Sequence, residues 1–325
     1  MNIIPLESGL LPQLQEIALA AHRAEQQRVP ALNEADEGRL TKALAGLLSA
    51  PCGVAAMERG RVVGYLAFYP PQAGKQSGVT AYSPAFANGA ARWMDRAKVN
   101  CYLFTAAAER LLSQGVDRYE IGVYAHDQDA LAGYVWSEFG IQCTECLRMA
   151  DAPVRGATSA DCCFEELALP ARLARMDELL CLWRLLADHL RQSPVFYAGR
   201  EFTDESFRSY LSQPETRLFV VQQGGELVGM MDARPEAPFF TGEEGMANVG
   251  DLYLSPMLRG KGLAQGLLDF ACQRLCADCF SRLWVCHGTA NPTALRFWDR
   301  YFENVTYTLT RQLDRDAVAL RLANR

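Results

Sequence analysis

A strand that runs directly into a glycine turn and then a helix is the tightest constraint in this chain. Residues 248–274 read NVGDLYLSPMLRGKGLAQGLLDFACQR. Val249 to Leu254 is apolar, its alternation broken by Asp251, which suits a strand. Ser255 to Lys261 is a turn rich in proline, glycine and basic residues. From Gly262 onward Ala264, Leu267, Leu268, Ala271 and Leu275 recur at helical spacing, so a helix starts at about Gly262. The first amides of a helix lack intrahelical partners and sit at the positive end of its dipole, so an anion docks there on the backbone. The glycines discriminate between phosphate ligands. A nucleoside-triphosphate loop needs Gly-Lys followed by Ser or Thr, and here Gly260-Lys261 runs into Gly262. A dinucleotide fingerprint needs G-x-G-x-x-G, and Gly260, Gly262 and Gly266 are one residue too widely spaced.

The turn Arg259-Gly260-Lys261-Gly262-Leu263-Ala264 has the form R-x-x-G-x-A. At this point the sequence resembles the GNAT superfamily of N-acetyltransferases, whose pyrophosphate loop is Q/R-x-x-G-x-G/A. The alternative is a helix that merely starts after a glycine turn. A second stretch, Asn291-Pro-Thr-Ala294-Leu-Arg-Phe297-Trp298, follows the short apolar segment Leu283 to Cys286. It resembles the family's N-x-x-A-x-x-F/L-Y/W helix, and the two motifs are one helix and one strand apart, as in the family. The resemblance implies an α/β (α+β) fold with two GNAT-like domains, each a mixed, mostly antiparallel twisted sheet flanked by helices. It implies acetyl-CoA as co-substrate. Backbone groups of Leu252, Tyr253 and Leu254 would meet pantetheine and the thioester. The segment Arg259, Gly260, Lys261, Gly262, Leu263 and Ala264 would hold the pyrophosphate, Asn291 would reach pantetheine or an ordered water, and Phe297 and Trp298 would wall the coenzyme.

The 325 residues suffice for two domains of ordinary size. Half of them are hydrophobic and 22% are charged, a globular balance. No apolar run approaches the roughly 18 residues a membrane helix needs, and the start, Met1-Asn-Ile-Ile-Pro-Leu-Glu, lacks the regions of a signal peptide. A cytoplasmic protein is the expectation. A net charge of −6 argues against a nucleic-acid partner and is compatible with a cationic amine. Eleven cysteines without regular spacing fit a reducing compartment better than a disulfide framework. Cys143-Thr-Glu-Cys146 is a lone C-x-x-C with no second pair to complete a four-ligand zinc site, so no metal is expected.

Along the chain, residues 10–27 and 36–49 read as amphipathic helices. Residues 54–68 read as a hairpin turning at Glu58 to Gly60. A polar loop over 71–78, a strand over 79–86, a helix over 100–112, a strand over 119–124, a helix over 129–139 and a strand over 144–149 follow. Residues 151–160 have linker composition. The order then repeats, with a strand over 163–168, helices over 172–191 and 204–213, and a hairpin over 218–231. Gly64 and Gly229 are 165 positions apart, and Trp136 and Trp298 are 162 apart. A shared offset across several elements argues for two copies of one unit. The division expected is 1–150, a linker at 151–160, a coenzyme-binding domain at 161–313 and a tail at 314–325. Between its hairpin and its next helix the first copy has Ala90-Ala-Arg-Trp-Met-Asp-Arg-Ala-Lys-Val-Asn-Cys, without a glycine that lets a backbone approach a pyrophosphate. The first copy is therefore read as degenerate and the second as the working one.

In the family an amine attacks the thioester directly, so the protein positions two reactants, stabilises an oxyanion and manages two protons. Asp251 is a candidate base, or else a capping or surface carboxylate. His287, at the end of the next strand, is another, with an imidazole that titrates near neutrality, or else a satisfied histidine beside Gly288. His126 and His189 have no such placement. The family's usual acidic tyrosine falls at Trp298, whose indole is no acid. Tyr301, one helical turn on, is the substitute, or else a core aromatic. The expected activity is acetyl transfer to a primary amine of a small molecule or peptide. The other reading is an acyl-CoA-binding sensor or scaffold without turnover. The acceptor and the oligomeric state stay open.

Overall fold

Two hairpins carry the architecture, and each forms where apolar runs flank a turn that tolerates left-handed backbone. Strands Cys52–Glu58 and Arg61–Phe68 turn through Arg59 and Gly60. Strands Arg217–Gln223 and Glu226–Pro235 turn through Gly224 (φ 59°) and Gly225 (φ 88°), the double positive φ that a two-residue hairpin with native twist requires. The pairing register slips between Ala56 and Met57 in the first and between Val221 and Gln222 in the second, positions 165 apart. The duplication read from glycine spacing therefore extends to the bulges. The computed structural model describes residues 1–323 except 51, 74–77, 155–160, 200 and 239–244. Much of the stretch with linker composition, half of the 71–78 loop and the last two tail residues lie outside the described residues.

The chain divides into two units, 1–145 with 304–323 and 146–238 with 245–303. In the first, helices Leu11–Gln26 and Glu37–Ser49 pack Leu14, Ile17, Leu40 and Leu44 against Ala55, Tyr65 and Ala67 of the hairpin. Helix Arg96–Leu111 covers the other face through Val99, Leu103 and Phe104. Strand Val79–Ser83 runs parallel to Val116–Tyr124 over its whole length. The strand Glu303–Gln312, not anticipated in the sequence reading, pairs antiparallel with Val116–Tyr124, from Thr306 opposite Tyr124 to Gln312 opposite Arg118. The tail forms helix Arg315–Ala323.

In the second unit the strands run in the order 146–149, Arg282–Gly288, Met246–Leu254, Glu226–Pro235, Arg217–Gln223, Cys162–Glu166. Alternation along the strands builds two cores. Val249, Leu254, Leu283 and Val285 face helix Leu263–Ala277, which contributes Leu267, Leu268, Ala271 and Leu275. Leu218, Val220, Met230 and Tyr253 face helix Met176–Arg191, with Leu179, Trp183 and Leu186, and helix Asp204–Leu211, with Phe207 and Leu211. Residues 172–191, expected as one helix, break at Arg175 into Leu169–Ala174 and Met176–Arg191. Apolar periodicity does not register this break, because the first piece buries Arg172 and exposes Leu173, while the buried apolar stripe begins at Met176. The mixed sheets flanked by helices are the fold class the sequence implied.

Candidate active site

The site is built where two parallel strands part. Met246–Leu254 pairs with Arg282–Gly288 at Met246, Ala247 and Asn248 only, opposite Arg282, Leu283 and Trp284. Beyond Asn248 no ladder between them is recorded among the described residues, while Met246–Leu254 stays paired on its other edge as far as Leu254 opposite Gly229. The divergence has a local cause. On that other edge the register steps from Met231 opposite Leu252 to Ala233 opposite Val249, so Asp232 faces two residues, Gly250 and Asp251. Such a bulge bends the strand that carries the extra residue. Gly250 is required there, since a Cβ would stand 2.7 Å from the Asp232 carboxylate.

The bulge also assembles the charged groups. The Asp232 carboxylate, 6% exposed, accepts the Asp251 amide at 2.7 Å and the Tyr210 hydroxyl. Burial pushes the Asp232 carboxyl up. Burial, and then the Asp232 charge, push Asp251 up to about 8. The phenols of Tyr210 and Tyr197 are raised by burial and by neighbouring carboxylates, so both stay protonated, Tyr210 donating to Asp232 and Tyr197 to Glu201. Asp232, Asp251 and Glu201 give this face an acidic character suited to an ammonium group.

The glycine turn follows the parted strand. Gly260 (φ 76°) and Gly262 (φ 80°) are left-handed, which a side chain would strain. Gly262 caps helix Leu263–Ala277 without a side-chain bond. Among the described residues no partner is recorded for the amides of Gly260, Lys261, Gly262, Leu263, Ala264 or Gln265 outside the helix's own ladder, whose first bond beyond the turn is Gly266 N–H to Gly262 O at 3.0 Å. Arg259, Gly260 and Lys261 are exposed. These are the orphan donors of a helix start. Arg259 itself is placed differently from expectation. Its amide donates to Pro256 O at 3.3 Å, its Nε donates to Leu254 O at 2.9 Å, and its guanidinium lies 5.6 Å from the Tyr253 ring centroid. Its side chain thus ties the turn to the end of the parted strand.

The remaining expected residues are dispersed. Leu252, Tyr253 and Leu254 lie on the parted strand, with Tyr253 turned to the helix Met176–Arg191 side and Leu252 and Leu254 to the other. Asn291 caps helix Pro292–Trp298, its Oδ1 accepting the amides of Thr293 and Ala294, both at 3.1 Å, which leaves only its Nδ2 for a ligand. Trp298 is buried against Phe302, while Phe297 is half-buried and meets Tyr301 edge-on at 5.5 Å. Asp251 and His287 are not brought together. His287 follows Leu283 and Val285 on the same face of its strand, toward helices Leu263–Ala277 and Pro292–Trp298, whereas Asp251 lies with Tyr210 and Tyr197. Burial lowers the His287 pKa. Asp232, Tyr210, Tyr197 and Glu201 were not singled out in the sequence. The one available signal was the broken alternation at Gly250-Asp251.

Residues 183–302 match the family model described as "Acetyltransferase (GNAT) family". No curated protein matches the chain. Among solved structures, the chain is similar to a GCN5-related N-acetyltransferase from Sphaerobacter thermophilus, with 13% identity, TM-score 0.60, and 96% and 95% of the two chains covered. It is also similar to a GCN5-related glucosamine N-acetyltransferase region of a fungal multi-domain β-N-acetylglucosaminidase, at 12% identity and TM-score 0.51, covering 95% of this chain and 38% of that one. A tandem GNAT protein from the clavulanic acid biosynthesis pathway aligns at 15% identity and TM-score 0.49, over 96% and 98% of the chains. At these identities the likeness is one of fold. No helix of the described residues is long and apolar enough to cross a membrane.

Proposed function

We propose that the segment 183–302, which matches the acetyltransferase (GNAT) family model, transfers the acetyl group of acetyl-CoA to a primary amine. The observation that carries the proposal is the set of unpartnered amides from Gly260 to Gln265, placed directly after a strand that parts from its neighbour at Asn248. Acetyl-CoA supplies an activated thioester. The turn amides, with Lys261 nearby, hold the pyrophosphate. The free edge of Val249–Leu254 aligns the pantetheine arm as an added strand.

The amine attacks the thioester carbon, a C–N bond forms, the C–S bond breaks and coenzyme A leaves as its thiolate. Asp251 takes the amine proton, directly or through one water. Its pKa of about 8 makes it a stronger base than an ordinary carboxylate, and an arriving ammonium group lowers that value by pairing with it. The acidic pair Asp232 and Asp251 selects cationic acceptors. In this reading the second unit is the working domain and the first a degenerate copy.

The test is incubation of the full chain with acetyl-CoA and a panel of cationic primary amines, read as free-thiol release. Turnover on a panel member is expected. Binding of coenzyme A with no turnover on any amine turns the reading toward a sensor, which the burial of Trp298 at the usual tyrosine position favours. Absence of coenzyme A binding overturns both.

A further inference from the structure

Three residues distant in sequence converge on one point away from Asp251. The Cys146 Sγ lies 3.7 Å from the His287 Nε2, and an Asp299 carboxylate oxygen lies 3.7 Å from the same nitrogen. The three donor atoms all fall within 4.8 Å of one another. Cys146 comes from the end of strand Gly140–Met149, His287 from the strand Arg282–Gly288, and Asp299 caps the C-terminus of helix Pro292–Trp298.

Two ordinary readings fit poorly. A nucleophilic triad places the carboxylate on the imidazole nitrogen opposite the thiol, so that the proton passes across the ring. Here thiol and carboxylate address the same nitrogen, and Cys146 is fully buried, out of reach of a substrate. A hydrogen-bonded core histidine commits both ring nitrogens. At 3.7 Å the carboxylate is too far for such a bond. The Nδ1 is buried with no partner recorded, and the side chain is only 4% exposed. At the Nε2 the weak thiol contact is joined by a carboxylate, so two groups able to ligate a cation converge on one nitrogen.

We propose that Cys146, His287 and Asp299 form a three-ligand site for a zinc-class divalent cation, with a fourth position open to solvent beside Asp299. Tetrahedral bonds of about 2.3 Å to sulfur, about 2.0 Å to imidazole and about 2.1 Å to carboxylate set neighbouring donors roughly 3.3–3.6 Å apart. The two separations of 3.7 Å need to contract by only a few tenths of an ångström, and the thiol and carboxylate, no more than 4.8 Å apart, close on each other as the ion enters. Thiolate, neutral imidazole and carboxylate carry two negative charges against the cation's two positive ones, and a thiolate-containing donor set selects zinc over calcium or magnesium. Binding releases the thiol proton to solvent. The half-exposed Asp299 side chain gives the ion a way in. The ion fastens the far arm of the parted strands to the end of the second motif helix. A ligating imidazole is also not free to act as a base, which leaves that role to Asp251.

The experiment titrates the metal-free full chain with Co²⁺ and follows absorbance. One equivalent per chain is expected to raise a near-ultraviolet thiolate-to-cobalt band together with visible bands of tetrahedral strength, and Zn²⁺ to displace both. Asp299→Ala and Cys146→Ala are each expected to weaken binding by at least roughly tenfold, as loss of a ligand outweighs loss of its supporting contacts. Cys163→Ser, at an exposed cysteine outside the site, is expected to change nothing. Asp299 is at a helix C-terminus, where removing a negative charge does not weaken the helix, so Asp299→Ala reports on the site even where Cys146→Ala fails to fold. Absence of a saturable thiolate band, or a band that persists unchanged in Asp299→Ala, overturns the proposal.

Discussion

In the first unit, helix Arg96–Leu111 starts at Asp95, whose carboxylate accepts the Lys98 amide at 3.1 Å. In the second, helix Leu263–Ala277 starts at Gly262, which has no side chain to offer. The two helices occupy corresponding places in the two copies, yet one satisfies its first turn with its own anion and the other leaves its first turn open. The strands before them differ in the same sense. Val79–Ser83 stays paired with its parallel neighbour as far as Ser83 opposite Ile121. The chain that follows closes on that neighbour, with the Ala85 backbone so near Gly122 that a Cβ there would stand 2.8 Å away, and the Asn88 amide donating to Gly122 O at 2.9 Å. In the second unit the pairing ends at Asn248. A copy that fills its own gap and caps its own helix offers no open turn of that kind. A glycine and a bulge are enough to leave the other copy open.

The comparison breaks most visibly if the open turn is given the closed turn's carboxylate. Gly262→Asp is expected to lower coenzyme A affinity by about 100-fold or more, through like-charge repulsion and the strain of a side chain at φ 80°. Gly262→Asn, neutral and tolerant of left-handed backbone, should retain most of the affinity in the same calorimetric titration. Next in size is Asp251→Asn. It should cut kcat by about 10²–10⁴ while leaving coenzyme binding intact, as read by steady-state rates beside calorimetry.

The bulge makes a pH prediction with a definite sign. Activity of the native chain should rise with pH toward about 8 as Asp251 loses its proton. Asp232→Asn removes the neighbouring charge and should move that rise to lower pH. The same group bears on stability. Its folded pKa lies above the roughly 3.9 of an unfolded aspartate, so its contribution is fully present below about pH 4 and is lost as pH rises through about 8. Asp251→Asn should flatten the fall in melting temperature over that window. The smallest effect expected is on the closed side. Asp95→Ala should cost about 1 kcal/mol of stability by removing the cap, seen in chemical denaturation, without altering coenzyme stoichiometry.

Local chemistry was legible in the sequence and long-range pairing was not. Arg259 to Ala264 announce their turn because each glycine answers to a backbone angle, and the duplication shows because the copies keep their glycines at a fixed offset. Asp232, by contrast, matters only through Gly250 and Asp251, 18 and 19 positions away on the next strand, and nothing within its own strand sets it apart. Trp298 looked like a coenzyme wall by position in its motif, but its side chain is buried against Phe302 in the core. Strand Glu303–Gln312 belongs with Val116–Tyr124, nearly two hundred positions earlier, a partnership that alternation within either segment leaves undetermined.

The most direct test of the open and closed copies is a calorimetric titration of coenzyme A into the full chain and its Gly262→Asp variant. One site per chain, lost in the variant, is the result these structures predict. Two equivalent sites, or an affinity that Gly262→Asp leaves unchanged, would contradict it.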